Sequence, residues 1–246
     1  MRFIDSHLHV PDGPPPSQAV RLCQSTQTLL LVCGVDHATS EGSLRLAASH
    51  TGLIRPFVGL HPSEVAKAPE TDWVEGSLGA SSGLGEVGMD PRYGAPKETQ
   101  RRAFERQLAA AERARKPVQV HSRGAEEECL EVLSTYDLPA VLMHWFQRED
   151  LVGKVAGRGY FVSFGPALLS SKALKRMALS AGKDLTLTET DAPVHFSSLG
   201  GAQGPQLIPS VVFELALLWR EPFESARLTV LGNGLRFLGE EGKVIT

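Results

Sequence analysis

Cysteine is scarce: Cys23, Cys33 and Cys129 are the only three in 246 residues. They lie far apart and form no CxxC pair, so neither a disulfide framework nor a CxxC redox site is available, and a packing role in a reducing compartment is expected. Net charge is also small, at -3 with a pI near 6.2, so no overall basic field draws the chain onto a polyanion or an acidic membrane. Contact with nucleic acid would have to come from local patches. No stretch approaches the ~20 apolar residues of a membrane helix, and polar groups at Arg2, Asp5 and Ser6 interrupt the first residues too early for a signal peptide. A cytoplasmic location is the expectation. No GxGxxG follows the first apolar run, which removes the usual mark of a dinucleotide-binding sheet.

What is present is ordinary in amount and regular in order. Apolar residues make up 42% and charged residues 22% of the chain, enough for a sizeable core. Eight short apolar runs rich in β-formers alternate with helical stretches: Arg2 to Val10, Thr28 to Val35, Leu53 to His61, Gly83 to Asp90, Pro117 to Arg123, Ala140 to Phe146, Tyr160 to Gly165 and Leu185 to Asp191. Several are apolar almost throughout, as strands covered on both faces should be. That alternation predicts an α/β fold of the TIM type, a (β/α)8 barrel of parallel strands forming a single domain over residues 1–246.

The clearest helix is expected over Lys97 to Lys116, where Phe104, Leu108 and Ala111 form one stripe and Glu98/Arg102 and Glu112/Lys116 have favourable spacing. Another should start near Pro209, with Val212, Leu215, Ala216 and Trp219 on one side, and a last one should span about Phe223 to Leu238. Two stretches break the rhythm, Pro11 to Ser17 and Ser197 to Pro209. Each comes after a strand's C-terminal end, where this fold carries its substrate loops, and a flexible linker is the alternative.

His7 and His9 are two apart on the first strand, so both imidazoles point the same way. Alone, such a pair does not separate a metal site from a hydrogen-bonded core. Glu86, His121, His144 and Asp191, however, each lie in or just past a different apolar run, and residues at the C-terminal ends of barrel strands converge on the axis. Six ligand-type side chains should therefore meet at one mouth. Asp5 and Glu189, each two positions before a proposed ligand, should point the same way one layer deeper and accept hydrogen bonds from ligand imidazoles.

Seven segments, in order, carry a resemblance to the TatD-related hydrolases of the amidohydrolase superfamily: Phe3 to His9, Gly59 to Pro62, Gly85 to Asp90, Val118 to Arg123, His144 to Phe146, Glu189 to Pro193 and Asn233 to Phe237. The resemblance implies a barrel holding two divalent metals, with Glu86 bridging, His7, His9 and Asp191 on one, and His121 and His144 on the other. It also implies hydrolysis of DNA. Departures from the family pattern fall outside these ligands, at Val10-Pro11, Pro91-Arg92, Gly124 and Gln147, and bear on substrate more than on metal.

Such a site is expected to hydrolyse a phosphodiester through a metal-activated water, Asp191 accepting its proton and Glu86 holding the ions together. Imidazoles favour Zn, Mn, Ni or Fe over Mg, and carboxylates with a phosphate substrate admit Mg or Mn. His61, at the end of the third strand, and Arg123, two past a ligand, are the candidate phosphate contacts. Arg92 with Tyr93 would offer charge and stacking to a single strand, and His195 would only line the mouth. Two alternatives stand beside DNA: a small ester, lactone, amide or phosphoester as substrate, or a metal-binding quality-control partner without turnover.

Overall fold

The computed structural model describes residues 2–10, 21, 24–201 and 203–242. Eight strands, β1 Phe3–Leu8, β2 Thr28–Cys33, β3 Ile54–Val58, β4 Gly83–Gly88, β5 Val118–His121, β6 Val141–Met143, β7 Phe161–Phe164 and β8 Thr186–Thr188, lie in sequential order. Every neighbouring pair is parallel. The ring closes between the last strand and the first, where Asp191 N–H donates to His7 C=O at 3.0 Å and His9 N–H to Ala192 C=O at 2.7 Å. Thr188 adds a side-chain bond to Ile4 C=O at 2.7 Å. The expected TIM-type barrel is therefore the fold.

Helices cover the outside: α1 His37–Ser49, α2 Asp72–Leu78, α3 Lys97–Ala114, α4 Glu126–Leu133, α5 Val152–Gly157, α6 Lys172–Ala181, α7 Ile208–Trp219 and α8 Phe223–Phe237. All six side chains of β2 are buried, and the five after Thr28 are apolar, which is why the strand reads as a hydrophobic run. Phe104, Leu108 and Ala111 of α3 are buried against the sheet as their spacing requires. Asn233 of α8 reaches the start of β8, donating to Lys183 C=O and Thr186 C=O at 2.8 Å each.

Strand ends differ from the sequence expectation in one consistent way. Ladders expected to reach His61, Phe146 and Asp191 stop at Val58, Met143 and Thr188. Past these points the chain leaves the ladder to turn over the barrel mouth, and Trp145 and Asp191 take left-handed φ of 43° and 47° to do so. Helix α3 likewise stops before Lys116, because Arg115 is left-handed. Glu112 consequently bonds Asp137 N–H and Lys116 bonds Ser81 C=O, so the expected pair between them does not form.

Pro11 to Ser17 lies outside the described residues. Ser197 to Pro209 is more structured than a linker: it holds two short 3-10 turns, Ser197–Leu199 and Pro205–Leu207, and Pro209 already belongs to α7. Just ahead of it, buried Phe196 stacks on Trp145 with ring centres 6.0 Å apart. Cys33 and Cys129 are buried free thiols, and Cys23 is outside the described residues. Among those residues no helix is long and apolar enough to cross a membrane.

Candidate metal centre

All six proposed ligands gather at the C-terminal mouth of the barrel around the Glu86 carboxylate. Glu86 lies within β4 and is almost fully buried. Its Oε2 faces His7 Nε2 at 3.4 Å and His9 Nε2 at 3.2 Å. Its Oε1 faces His121 Nδ1 at 2.8 Å, His61 Nε2 at 3.4 Å and His144 Nε2 at 3.5 Å. Asp191 Oδ1 completes the first side, 3.7 Å from His7 Nε2 and 3.6 Å from His9 Nε2. Two oxygens of one carboxylate thus serve two sets of nitrogen donors.

Outer hydrogen bonds decide what those nitrogens present. The His7 Nδ1–H donates to Gln119 Oε1 at 2.7 Å, the His9 Nδ1–H to Cys33 C=O at 3.0 Å, and the His144 Nδ1–H to Glu189 Oε2 at 2.7 Å. In their neutral forms, with those protons committed outward, all three imidazoles turn Nε2 lone pairs inward, toward carboxylate oxygens and, for His7 and His9, toward each other at 3.3 Å. Acceptors facing acceptors repel unless a cation lies between them. Donors about 2.1 Å from a shared ion lie about 3.0 to 3.5 Å apart, close to the spacings seen on the His7, His9, Glu86 and Asp191 side. The donor set fits a divalent metal, and among the described residues three groups drawn from His7, His9, His61, Glu86, His121, His144 and Asp191 have ligand-capable spacing.

His61 is the exception among the imidazoles. Ser63 faces its Nδ1 with both the hydroxyl, at 2.8 Å, and the N–H, at 3.2 Å, and in the tautomer in which Nδ1 accepts from them the proton sits on Nε2, which points into the site. Burial holds His61 below the usual histidine range, and the side chain is a neutral donor. Burial pushes Glu86 up, but the imidazoles crowded around it, with the His121 hydrogen bond, override burial and keep the carboxyl well below its usual range. For Asp191 burial prevails and raises the carboxyl.

Some expected roles are corrected. Glu189 does hold the imidazole of a proposed ligand, His144, but Asp5 holds none: its oxygens take Thr190 N–H at 2.9 Å and Thr190 Oγ1–H at 2.5 Å, tying β1 to the end of β8. Arg123 lines the cavity as a phosphate contact would, and it is also paired with Asp90, with Nη2 2.8 Å and Nε 2.9 Å from Oδ2. The same Oδ2 takes the His121 Nε2 contact at 2.9 Å. Among the described residues Arg92 makes no ion pair, and it lines the same cavity. His195 is exposed, its Nδ1 3.0 Å from Gly201 O, and Val194 lines the cavity from that segment. Gln119, Asp90 and the Cys33 carbonyl were missed from sequence. Gln119 sits two before His121, so the alternation that singled out Asp5 and Glu189 would have found it. Cys33 also does more than pack, donating S–H to Gln119 Oε1 at 3.2 Å.

The mouth opens into a cavity of about 620 Å³ lined by His61, Arg92, Tyr93, Arg123, Glu126 and Trp145 among others, within the usual size of a small-ligand site. A parallel barrel with imidazoles and carboxylates converging at this face defines a metal-dependent hydrolase architecture. The family model described as TatD related DNase matches residues 4–239, and the chain belongs to that family of metal-dependent hydrolases. It is 29% identical over 219 residues to human deoxyribonuclease TATDN3, covering 78% of each protein. It is 21% identical over 246 residues to an uncharacterized metal-dependent hydrolase of Methanocaldococcus jannaschii, covering 96% of this chain and 97% of the relative. The crystal structure of YjjV, a TatD homolog from Escherichia coli, superimposes with a TM-score of 0.84 at 24% identity, covering 96% of this chain and 97% of that one.

Proposed function

We propose that the chain hydrolyses phosphodiester bonds of DNA, using two divalent cations that share Glu86. His7, His9 and Asp191 would hold one, and His121 and His144 the other. The carrying observation is the Glu86 carboxylate, which turns Oε2 to one pair of imidazoles and Oε1 to another set. The imidazoles favour Zn or Mn, and the carboxylates with a phosphate ligand admit Mg or Mn. Bound there, the cations would supply Lewis acidity to a phosphoryl oxygen and lower the pKa of water.

The side chains supply the rest. Asp191, raised by burial, accepts the proton of the attacking water. His61 donates its Nε2–H to a phosphoryl oxygen, and Arg92 offers the uncommitted charge that Arg123, held by Asp90, lacks. Trp145 offers an indole backed by Phe196 at an interplanar angle of 12°, a flat wall on which a base stacks. Support for DNA comes also from the human relative's name as a deoxyribonuclease.

A second reading is hydrolysis of a small ester, lactone, amide or phosphoester. Glu126 favours it, because this nearly buried carboxylate in the cavity wall opposes a polyanion. The test is cleavage of single-stranded oligonucleotides by metal-stripped protein resupplied with Mn, Mg or Zn, beside a panel of nitrophenyl esters and phosphoesters. Metal-dependent cleavage abolished by Glu86→Ala supports the DNA reading. Turnover of the small panel alone replaces it with the second, and metal uptake without turnover of any substrate leaves a metal-binding partner.

A further inference from the structure

Helix α3 carries two buried glutamines seven residues apart, Gln100 and Gln107. Seven residues are two turns, so both side chains leave the same face of the helix. Each makes the same unusual contact, closing its amide around both backbone groups of one residue. Gln107 Oε1 takes Leu60 N–H at 2.7 Å, while its Nε2–H donates to Leu60 C=O at 3.2 Å and Ala103 C=O at 3.1 Å. Gln100 Oε1 takes Asp90 N–H at 2.8 Å, while its Nε2–H donates to Asp90 C=O and Ala95 C=O at 3.0 Å each.

Leu60 and Asp90 occupy equivalent places, each two residues past the end of its strand, β3 at Val58 and β4 at Gly88. There the ladder has ended, and buried backbone groups need other partners. The glutamine amide, with one acceptor and one donor side by side, takes the place of the missing strand neighbour. The two clasps steady different groups. Leu60 precedes His61, whose N–H is fixed from the other side by Val35 C=O at 2.8 Å. Asp90 holds His121 Nε2 and the Arg123 guanidinium through a single oxygen.

We propose that Gln100 and Gln107 are positioning residues that set the two halves of the site independently: Gln100 aims His121 through Asp90, and Gln107 aims the donor His61. The proposal rests on reading the cluster as a hydrolytic metal centre. Each glutamine loses the same three bonds on replacement, so a purely structural role moves both variants alike.

Gln100→Met and Gln107→Met keep the side chain's length and remove its polar ends. The readouts are calorimetric affinity for Mn and Zn, kcat and KM on a nitrophenyl phosphodiester and on single-stranded DNA, and unfolding midpoint in urea. With similar midpoints, Gln100→Met should bind metal at least about tenfold more weakly, in the range seen when a ligand's outer partner is lost. Gln107→Met should keep wild-type metal affinity and lose about tenfold in kcat/KM. Should a Met variant not fold, Gln→Asn keeps a neutral amide one methylene too short to close the clasp, and the same split is expected. Variants that lose both properties in proportion to stability, or neither, overturn the proposal. A wild-type protein that takes up no cation overturns the reading of the centre and the proposal together, whereas wild-type binding and turnover without the split overturns the proposal alone.

Discussion

Replacing Glu189 with Gln removes one charge without changing shape, and the consequence can be worked through atom by atom. Glu189 is 1% exposed. Its Oε2 accepts from His144 Nδ1–H at 2.7 Å and Ser163 Oγ–H at 2.6 Å, and its Oε1 from Trp145 N–H at 3.1 Å. All three partners donate, so an amide must set its NH2 against a donor whichever way it turns. Facing Trp145, it leaves a buried N–H unpaired at a cost of about 1 to 3 kcal/mol. Facing His144, it drives the imidazole proton onto Nε2 and removes the lone pair aimed at the centre. The apoprotein should lose about 1 to 3 kcal/mol, and metal affinity should fall about 10- to 100-fold. Urea unfolding and calorimetric titration of stripped protein with Zn or Mn read both. Ser163→Ala, which deletes a donor and leaves the tautomer alone, is the control and should change affinity by less than about threefold. Wild-type affinity in Glu189→Gln refutes the claim that this carboxylate prepares His144 as a ligand.

Burial raises Asp5 from its usual 3.8 to about 7, against the bonds from Thr190. Between those values the folded apoprotein holds a proton that the unfolded chain does not, so this group's stabilisation is full below about 4 and lost as pH rises through 7. The loss approaches about 4 kcal/mol by linkage; Asp5→Asn should erase that slope in urea titrations from pH 4 to 8, and an unchanged slope rejects it. Gly88 has a φ of 143°, and a Cβ there would meet His121 O at 1.9 Å. Gly88→Ala should therefore cost at least about 1 to 3 kcal/mol of backbone strain, and a wild-type urea midpoint would contradict this. Trp145→Ala should lower kcat/KM on base-bearing DNA by about 5- to 150-fold, the worth of one stacked base, while abasic DNA is cleaved as before. Equal losses on both substrates would mean that the indole supports the site without stacking.

Much of the site was legible because barrel geometry converts order along the chain into convergence in space. His7, Glu86, His121, His144 and Asp191 each lie in or just past an apolar run, and in a parallel closed sheet the C-terminal parts of all such runs face one mouth. Strand count, barrel class and the six-residue cluster come from that local regularity. Side-chain alternation likewise identified Glu189, because two positions along a strand return to the same face.

What the pattern along the chain could not specify is which polar group meets which across the barrel. Asp5 and Glu189 look alike in spacing, yet Asp5 spends its oxygens on Thr190 where β8 closes onto β1. Arg123 stands in the sequence as a candidate phosphate contact, and nothing there shows that Asp90, 33 residues away, pairs with it. Gln119 and the Cys33 carbonyl take up imidazole protons across strands that only closure brings together. Periodicity sets the direction of a side chain from its own backbone, whereas its partner depends on register, loop path and helix placement, which arise only when the whole ring packs.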